Sequence, residues 1–372
     1  MLESLFGIRL LLWIGQTVPL PASYEAATSL AGVEVTNDSS KADGFKLTFA
    51  VGRNGVGDYG LLQSGELAPM NRVIVGVIFG VVPEVLIDGI ITQVHLDPSS
   101  TPGQSTLTVM GQELAVLMDL EEKNLSYENQ PDSVIAMRVL TGYAQYGIIP
   151  QPSATTDVPI QVERIPRQQE TDLKFLLRLA QRNGFVFYLE PETVGMNRAY
   201  WGPENRLGIP QPALSMDMGA STNVASLAFS DDALAATATK GTVIEPITRT
   251  SLPIPPLPSL RIPPLVTSPA RAYRTTLQRE TANQSPTTAA TRSLASTTNA
   301  PDSATAQGEA DGVRYGSALR ARRLVGVRGA GSSHDGLWYV KAVTHTISRG
   351  QYTQRFSLSR EGIGTLTPVV LP

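Results

Sequence analysis

The chain has 372 residues, of which 42% are hydrophobic and 17% charged, a composition that suits two or three compact domains. Its 30 basic and 33 acidic residues give a net charge of -3, which argues against nucleic acid as the main partner because phosphate binding needs a concentrated basic surface. Cysteine is absent, which excludes disulfides and thiolate chemistry. The 32 glycines and 27 prolines indicate many turns and favour a β-rich fold.

The first 23 residues contain a short apolar run. Residues 8–14 are apolar apart from Arg9, but the run is too short to span a bilayer. The residues before it lack the basic segment of a secretory signal. We therefore predict that residues 1–23 hold a first strand or a short docking segment, with no direct membrane span.

Residues 24–111 have the pattern of a β-rich unit. Runs of alternating apolar and polar residues are separated by polar or glycine-rich turns, which is typical of an antiparallel sheet or a small barrel. The glycine-rich segment 52–57 is not followed by the Lys-Ser/Thr pair of a phosphate-binding loop, so we interpret it as a loop between strands. The predicted strands cover residues 33–36, 45–51, 72–79, 84–95 and 105–111.

Residues 112–194 mix helices with strands, and the most regular stretch is 164–190. The pattern there predicts a strand end, a helix and a second strand. Thr171 can cap the start of the helix, and Gly184 can take the left-handed conformation that ends it. The stripe predicted to be buried, with the spacing of one helix face, consists of Leu173, Leu176, Leu177 and Ala180.

Residues 244–311 differ in composition from the rest of the chain. Prolines between Pro246 and Pro269 predict an extended, ordered arm on the surface. Residues 281–306 are rich in Thr, Ser and Ala, which fits either a flexible linker or an insertion that becomes ordered on assembly. Residues 312–323 are predicted to form a helix. Strands are then predicted for residues 324–328, 336–347 and 351–360, followed by a tail at 366–372.

No pattern in the sequence predicts a catalytic, cofactor-binding or metal site. The histidines show neither HxH nor HExxH spacing, and the sequence has no Walker motif and no Gly-x-Ser-x-Gly nucleophile motif. We therefore predict no catalytic residues, no cofactor and no metal. The histidines in question are His95, His334 and His345.

Two weaker patterns invite a different interpretation. The acidic pairs at 121–122 and 231–232 supply the carboxylates that a glycosidase needs, but adjacent acidic residues in loops are more often solvated turn residues. Trp201 and Trp338, each next to a tyrosine, resemble a sugar platform, but such aromatic pairs usually belong to a core or an interface. The sequence thus leaves a cell-wall hydrolase or a carbohydrate-binding module as the alternative function.

One basic cluster occurs near the C-terminus. Its residues fit the solvated face of a helix and a strand, which we favour, or a contact patch for an acidic neighbour in an assembly. The cluster consists of Arg314, Arg320, Arg322, Arg323 and Arg328.

The stretch around residues 164–190 also carries a family resemblance. The run Gln169-Glu170-Thr171-Asp172, then Phe175-Leu176, Arg178-Leu179-Ala180 and Gly184-Phe185-Val186-Phe187-Tyr188, resembles the late control protein D family of phage tails. That family includes the hub part of VgrG-like spike proteins of type VI secretion and of related contractile injection systems. A second and less specific similarity lies in the predicted hairpin 343–356.

The resemblance implies an α+β, β-dominated fold with two tube-forming antiparallel β-barrel-like domains and helical insertions. It implies that three chains assemble as a pseudo-six-fold trimeric ring, and such a ring can join a trimeric spike to a hexameric inner tube. The first barrel-like domain would comprise residues 24–111 and about 195–240. The second would comprise 112–194 and about 312–365, and 244–311 would be an arm or insertion.

The resemblance also implies a function and a set of partners. The chain is expected to be a structural baseplate hub without catalysis, assembled in the bacterial cytoplasm and carried in a phage tail or injection particle. The expected partners are two further copies of the chain, a spike protein, inner-tube or tube-initiator proteins and other baseplate components. Because the sequence ends at Pro372 with no needle-like repeat, we expect the spike to be a separate chain.

Overall fold

The computed structural model describes residues 8–53, 58–101, 103–155, 157, 165–244, 249–255, 259, 261–278 and 286–366. In this part of the chain the fold is β-dominated, and its largest element is a sheet of 13 strands. The predicted β-dominated α+β fold is confirmed, and the trimeric ring stays a prediction. Parts of three segments discussed in the sequence analysis, residues 1–7, 54–57 and 281–285, lie outside the described residues.

The first part of the large sheet comes from residues 8–113. Burial alternates along its strands; in the fourth strand Phe45, Leu47 and Phe49 point inward while the residues between them are more exposed. This period of two places one face of the sheet on the core. The elements are β1 (Ile8–Gly15), β2 (Leu20–Pro21), α1 (Tyr24–Ser29), β3 (Leu30–Asp38), β4 (Gly44–Val51), α2 (Gly60–Gln63), β5 (Arg72–Phe79), β6 (Val82–Asp97) and β7 (Ser105–Glu113).

A mixed unit follows in residues 114–202, in which two helices pack against short strands. Its own core contains Leu140, Phe175, Leu179 and Trp201. The elements are a 3-10 helix (Leu114–Asp119), β8 (Glu122–Ser126), α3 (Asp132–Thr141), a second 3-10 helix (Ala144–Tyr146), β9 (Ile148–Pro152), β10 (Arg167–Thr171), α4 (Asp172–Asn183), β11 (Val186–Thr193) and β12 (Met196–Gly202).

The remaining residues complete the large sheet and add a smaller inserted unit. The insertion, between β14 and β19, places three short strands against helix α5. The elements are β13 (Gln211–Ser215), a 3-10 helix (Gly219–Ser221), β14 (Val224–Asp231), β15 (Thr237–Ile244), β16 (Ser251–Ile254), β17 (Ser268–Pro269), β18 (Arg274–Leu277), α5 (Pro286–Thr298), β19 (Ala304–Asp311), α6 (Gly312–Tyr315), β20 (Leu324–Arg328), β21 (Gly336–Ser348), β22 (Gln351–Arg360) and β23 (Gly362–Ile363).

The strand order joins the two ends of the chain. In the large sheet it is β14-β19-β22-β21-β3-β4-β7-β6-β5-β1-β2, with β20 beside β21 and β13 beside β20. The pairing of β21 with β3 continues the N-terminal strands into the C-terminal hairpin. The sheet also curls back on itself, since the ring of Phe79 at the end of β5 lies 5.9 Å from the ring of Tyr352 in β22.

Of the strands from residues 195–240, β12 belongs to the mixed unit, whereas β13 and β14 lie beside strands of the C-terminal part. Strand β13 pairs with β20 and β14 pairs with β19. Residues 304–311, at the end of the predicted arm, form a full strand of the large sheet. The division into two barrel-like domains stays a prediction.

Helix α4 begins and ends as predicted. The Thr171 hydroxyl accepts a hydrogen bond from the Lys174 amide at 3.4 Å, and Gly184 takes the left-handed conformation with φ of 68°. The predicted buried stripe is wrong at Leu177, which is 45% exposed. Phe175 takes the buried position instead, because its ring stacks on that of Tyr127 with centroids 5.4 Å apart.

The helix predicted for residues 312–323 is limited to its first turn. After Gly316, which takes φ of 75°, the chain is irregular, with a turn at Ala321 and Arg322, and side chains of other strands bind its backbone. The Leu319 amide donates to the Gln354 side chain at 2.7 Å, and the Arg320 amide donates to the Gln211 side chain at 2.6 Å. These bonds replace those that a helix would form.

The flexible-linker interpretation is wrong for the described residues 286–306. They form helix α5 and the start of β19. Ala289 of α5 is buried against Val243 and Ile254 of the neighbouring short strands. This small core holds the inserted unit together.

Candidate functional site

The histidines do not converge on a common site. His95 is exposed on β6, whereas His345 is fully buried on β21, and three strands of the sheet separate β6 from β21. His334 lies in the loop before β21, with its Nε2 3.5 Å from a carboxylate oxygen of Asp231. In the part of the chain that the structure describes, no three His, Asp or Glu side chains are grouped to hold a metal ion.

His345 is a neutral core residue. Its Nδ1 lies 2.9 Å from the hydroxyl of Tyr352. Burial, together with the charge of Arg320, lowers the pKa of His345 to about 3. A histidine in this state does not exchange protons near neutral pH, which does not fit a general acid or base.

The acidic pairs and the tryptophans do not form a sugar-binding cleft. Asp232 accepts a hydrogen bond from the Leu234 amide at 2.8 Å, as a turn residue does. Trp201 and Trp338 are fully buried, and their indole nitrogens donate to main-chain carbonyls at 3.1 Å and 2.8 Å. Neither ring offers a face to a sugar, so the sugar-platform interpretation is wrong for both residues.

The basic cluster is not one surface. Arg314 is exposed, but Arg320 and Arg322 point into the protein and bind acceptors from residues 38–85. Both interpretations of the cluster, a solvated face and a contact patch, are therefore wrong for Arg320 and Arg322. The sequence pattern could not show this, since the partners of both arginines lie more than 230 positions away in the sequence and meet them only in the tertiary structure.

The charged side chains that the structure does bring together lie at the boundaries between its parts. At the first boundary, Arg72 of β5 donates to Asp88 of β6 through two nitrogens, at 2.7 Å and 2.6 Å. Asn197 of β12 donates to the same carboxylate at 2.7 Å, and Arg72 also reaches the carbonyl oxygens of Thr17 and Gly195. This buried network joins the large sheet to the mixed unit.

A second network centres on Arg322, just before β20. Its guanidinium donates to both carboxylate oxygens of Asp43, in the turn between β3 and β4, at 2.8 Å and 2.7 Å. It also lies 4.7 Å from the ring centre of Tyr188 in β11. Burial and the nearby Asp43 charge raise the pKa of Glu113 to about 8, although Arg322 partly offsets them.

A third network holds the inserted unit on the sheet. Burial raises the pKa of Glu204, but the surrounding cations outweigh this effect and lower it to about 2. The carboxylate therefore remains ionised. The network consists of three cations, Arg206, Arg261 and Lys341, and three carboxylates, Glu204, Asp302 and Glu361.

No motif in the sequence predicts these networks. A signal exists for the first, because Arg72 begins the apolar strand β5 and Asp88 interrupts an apolar run in β6, and charges in such strands are rarely buried unless they are paired. For the second no local signal exists, since Asp43 lies in a polar turn 279 positions from Arg322. All three networks have a structural role, since each charged group is paired with a group of opposite charge.

In the described residues, no helix is long and apolar enough to cross a membrane. A comparison with curated proteins found no relative in sequence. Solved structures do share the fold. The crystal structure of a tail protein from Neisseria meningitidis MC58 is similar with a TM-score of 0.62 and 14% identity, over 96% of this chain and 98% of that one.

Two further structures extend the comparison. The 43 kDa tail protein of prophage MuSo2 from Shewanella oneidensis gives a TM-score of 0.62 at 14% identity, covering 95% of this chain and 98% of that one. An E. coli component of the type VI secretion system gives a TM-score of 0.55 at 13% identity, covering 92% of this chain and 78% of that one. At such identities the similarity shows a common fold.

The sequence itself matches one family model, described as the Alg8 N-terminal domain, over residues 21–211. The matched region contains strands β3 to β7 of the large sheet and the whole mixed unit, and it ends at the first residue of β13. It covers more than half of the chain, so this protein belongs to the Alg8 N-terminal domain family.

Proposed function

We propose that the protein is a structural baseplate hub of a contractile phage tail or of a phage-tail-like injection system. One observation carries the proposal: the fold agrees with two tail proteins over at least 95% of this chain and 98% of each of theirs. Agreement across nearly the whole of both chains means that the resemblance is not confined to one common module.

The resemblance to the late control protein D family supports the finer part of the proposal. Its residues fall on β10, α4 and β11, and the cap at Thr171 and the stop at Gly184 are formed by that motif. The two barrel-like domains are part of this proposal. Three chains with two similar domains each present six near-equivalent surfaces, which lets a trimeric spike and a hexameric tube meet on one ring.

The buried charge networks suit a scaffold. They tie the large sheet, the mixed unit and the inserted unit together, and their charges are satisfied within the chain. The proposed hub has no catalytic role and no cofactor. Its partners would be two further copies, a spike protein, tube proteins and other baseplate components, and it would assemble in the bacterial cytoplasm.

Mass in solution tests the proposal. The purified chain, alone and co-expressed with the spike and tube proteins of its own gene cluster, is measured by light scattering after size-exclusion chromatography. The expected result is a species with three times the 39.8 kDa mass of one chain. A chain that stays monomeric with both partners present would contradict the hub proposal. Clearing of peptidoglycan in a zymogram would contradict the absence of catalysis.

A further inference from the structure

A cavity lies where three parts of the protein meet. We call it the junction cavity; its lining includes Tyr188 of β11, Tyr339 and Lys341 of β21, Arg261 of the inserted unit and Arg322. Its volume is about 230 Å³. A water molecule takes up about 30 Å³ of liquid volume, so the space is large enough for a small polyatomic ion together with some water.

The walls of the junction cavity carry hydrogen-bond donors without acceptors. Arg322 is 8% exposed, and among the described residues its Nε has no hydrogen-bond partner, although its other two nitrogens bind Asp43. The buried Nε of Arg261 likewise has no hydrogen bond to any described residue. Tyr188 and Tyr339, which are 5% and 1% exposed, also line the cavity. Buried donors are normally satisfied, so two unsatisfied guanidinium nitrogens beside a single space point to an acceptor held within it.

The acceptor is not supplied by the cavity's own carboxylate. Glu204 lines the space, but one of its oxygens accepts from Arg206 at 2.8 Å and the other from Lys341 at 3.2 Å. The cations of the wall are already paired, Arg322 with Asp43 and Arg261 with Asp302, and the Arg261 Nε lies 3.8 Å from Glu204, beyond hydrogen-bond distance. The cavity thus offers directed donors without a large excess of positive charge, which suits a small anion held weakly and does not suit a metal cation.

We propose that the junction cavity binds a small oxyanion, either a carboxylate or inorganic phosphate. Its oxygens would accept from the Arg322 Nε, the Arg261 Nε and the hydroxyls of Tyr188 and Tyr339. Because these residues come from different parts of the fold, the bound anion stabilises their contact. The inference does not depend on the proposed function.

Equilibrium dialysis of the full chain tests the proposal. Radiolabelled phosphate and radiolabelled acetate are used in separate arms, with chloride keeping the ionic strength constant. The expected result is saturable binding of at least one of the two, near one anion per chain, with a dissociation constant in the millimolar range. The same anion should raise the melting temperature in step with its occupancy.

The decisive variant is Tyr188→Phe, which removes one of the proposed donors and keeps the ring that packs on Arg322. Losing one neutral hydrogen bond should weaken anion binding about threefold to tenfold, with the melting temperature in the absence of anion unchanged. Tyr24→Phe is the matched control, because Tyr24 is 82% exposed and is not part of the cavity. Absence of saturable binding in both arms up to about 50 mM would mean that the cavity holds only water. Equal binding by Tyr188→Phe and the unmodified chain would place the anion elsewhere; either result overturns the proposal.

Discussion

Replacing Asp88 by alanine should destabilise the protein by about 3–5 kcal/mol, because it leaves a buried arginine without its counter-ion. The side chains of Asp88 and Arg72 are 0% and 4% exposed. The carboxylate accepts two hydrogen bonds from Arg72 and one from Asn197. After the substitution Arg72 retains the carbonyls of Thr17 and Gly195, at 3.3 Å and 3.1 Å, which stabilise its charge less than a carboxylate does.

This loss is a large fraction of the stability of a domain, which is about 5–15 kcal/mol. Urea unfolding followed by tryptophan fluorescence and by far-UV circular dichroism measures it, provided that the two signals give the same midpoint. The matched control is Glu192→Ala, which removes a carboxylate that is 47% exposed and 3.5 Å from Arg198. The free energy of unfolding of this control should change by less than about 1 kcal/mol.

A double variant separates the unpaired charge from other causes. Arg72→Met combined with Asp88→Leu removes both charges and keeps apolar volume, so it should be more stable than Asp88→Ala alone. If Asp88→Ala is no less stable than the Glu192→Ala control, the network does not hold the mixed unit on the sheet. If the double variant is as unstable as Asp88→Ala, the unpaired charge is not the cause.

Three further predictions concern pH and backbone space. The pKa of His345 falls to about 3 in the folded state, so the free energy of unfolding should fall as pH drops below 6.5. In urea titrations at several pH values, His345→Gln should flatten this dependence on pH, and the control His95→Gln should not. The pKa of Glu113 rises to about 8 in the folded state, so its contribution to the free energy of unfolding is present below pH 4.5 and is lost as pH rises towards 8. Glu113→Gln should remove this loss of stability. An unchanged dependence of the free energy of unfolding on pH would contradict the prediction. Gly329→Ala should lower the melting temperature more than Gly331→Ala does. Both glycines have positive φ, but only at Gly329 would the new methyl group lie 1.8 Å from a carbonyl oxygen. Equal decreases in melting temperature would show that the backbone relaxes around the methyl group.

Local patterns in the sequence predict local structure well. The cap at Thr171 and the stop at Gly184 depend on residues within one turn of the helix end, and the structure has both. The buried face of the same helix depends on what packs against it. The spacing allowed Leu177 to be buried, but Phe175 stacks on Tyr127 and fixes the helix in a different rotation.

Contacts between distant residues explain what the sequence did not show. Residues 316–323 have a composition that permits a helix, yet the side chains of Gln211 and Gln354 bind their backbone and the segment is irregular. Likewise, the partner of Arg322 is Asp43, and no property of either segment indicates the other. Candidate sites built from such pairs are visible only once the fold is known.

The placement of the buried charges suggests what they contribute to a scaffold. Burying an ion pair costs desolvation, and an apolar pair of similar volume is often equally stable. An apolar contact, however, tolerates sliding, whereas a two-pronged Arg–Asp pair requires one alignment. Arg72 fixes the mixed unit, and Arg322 fixes the C-terminal strands, against the first part of the sheet. The proposed hub would need its units aligned more than it would need additional stability, and the buried Arg–Asp pairs at these boundaries would supply that alignment.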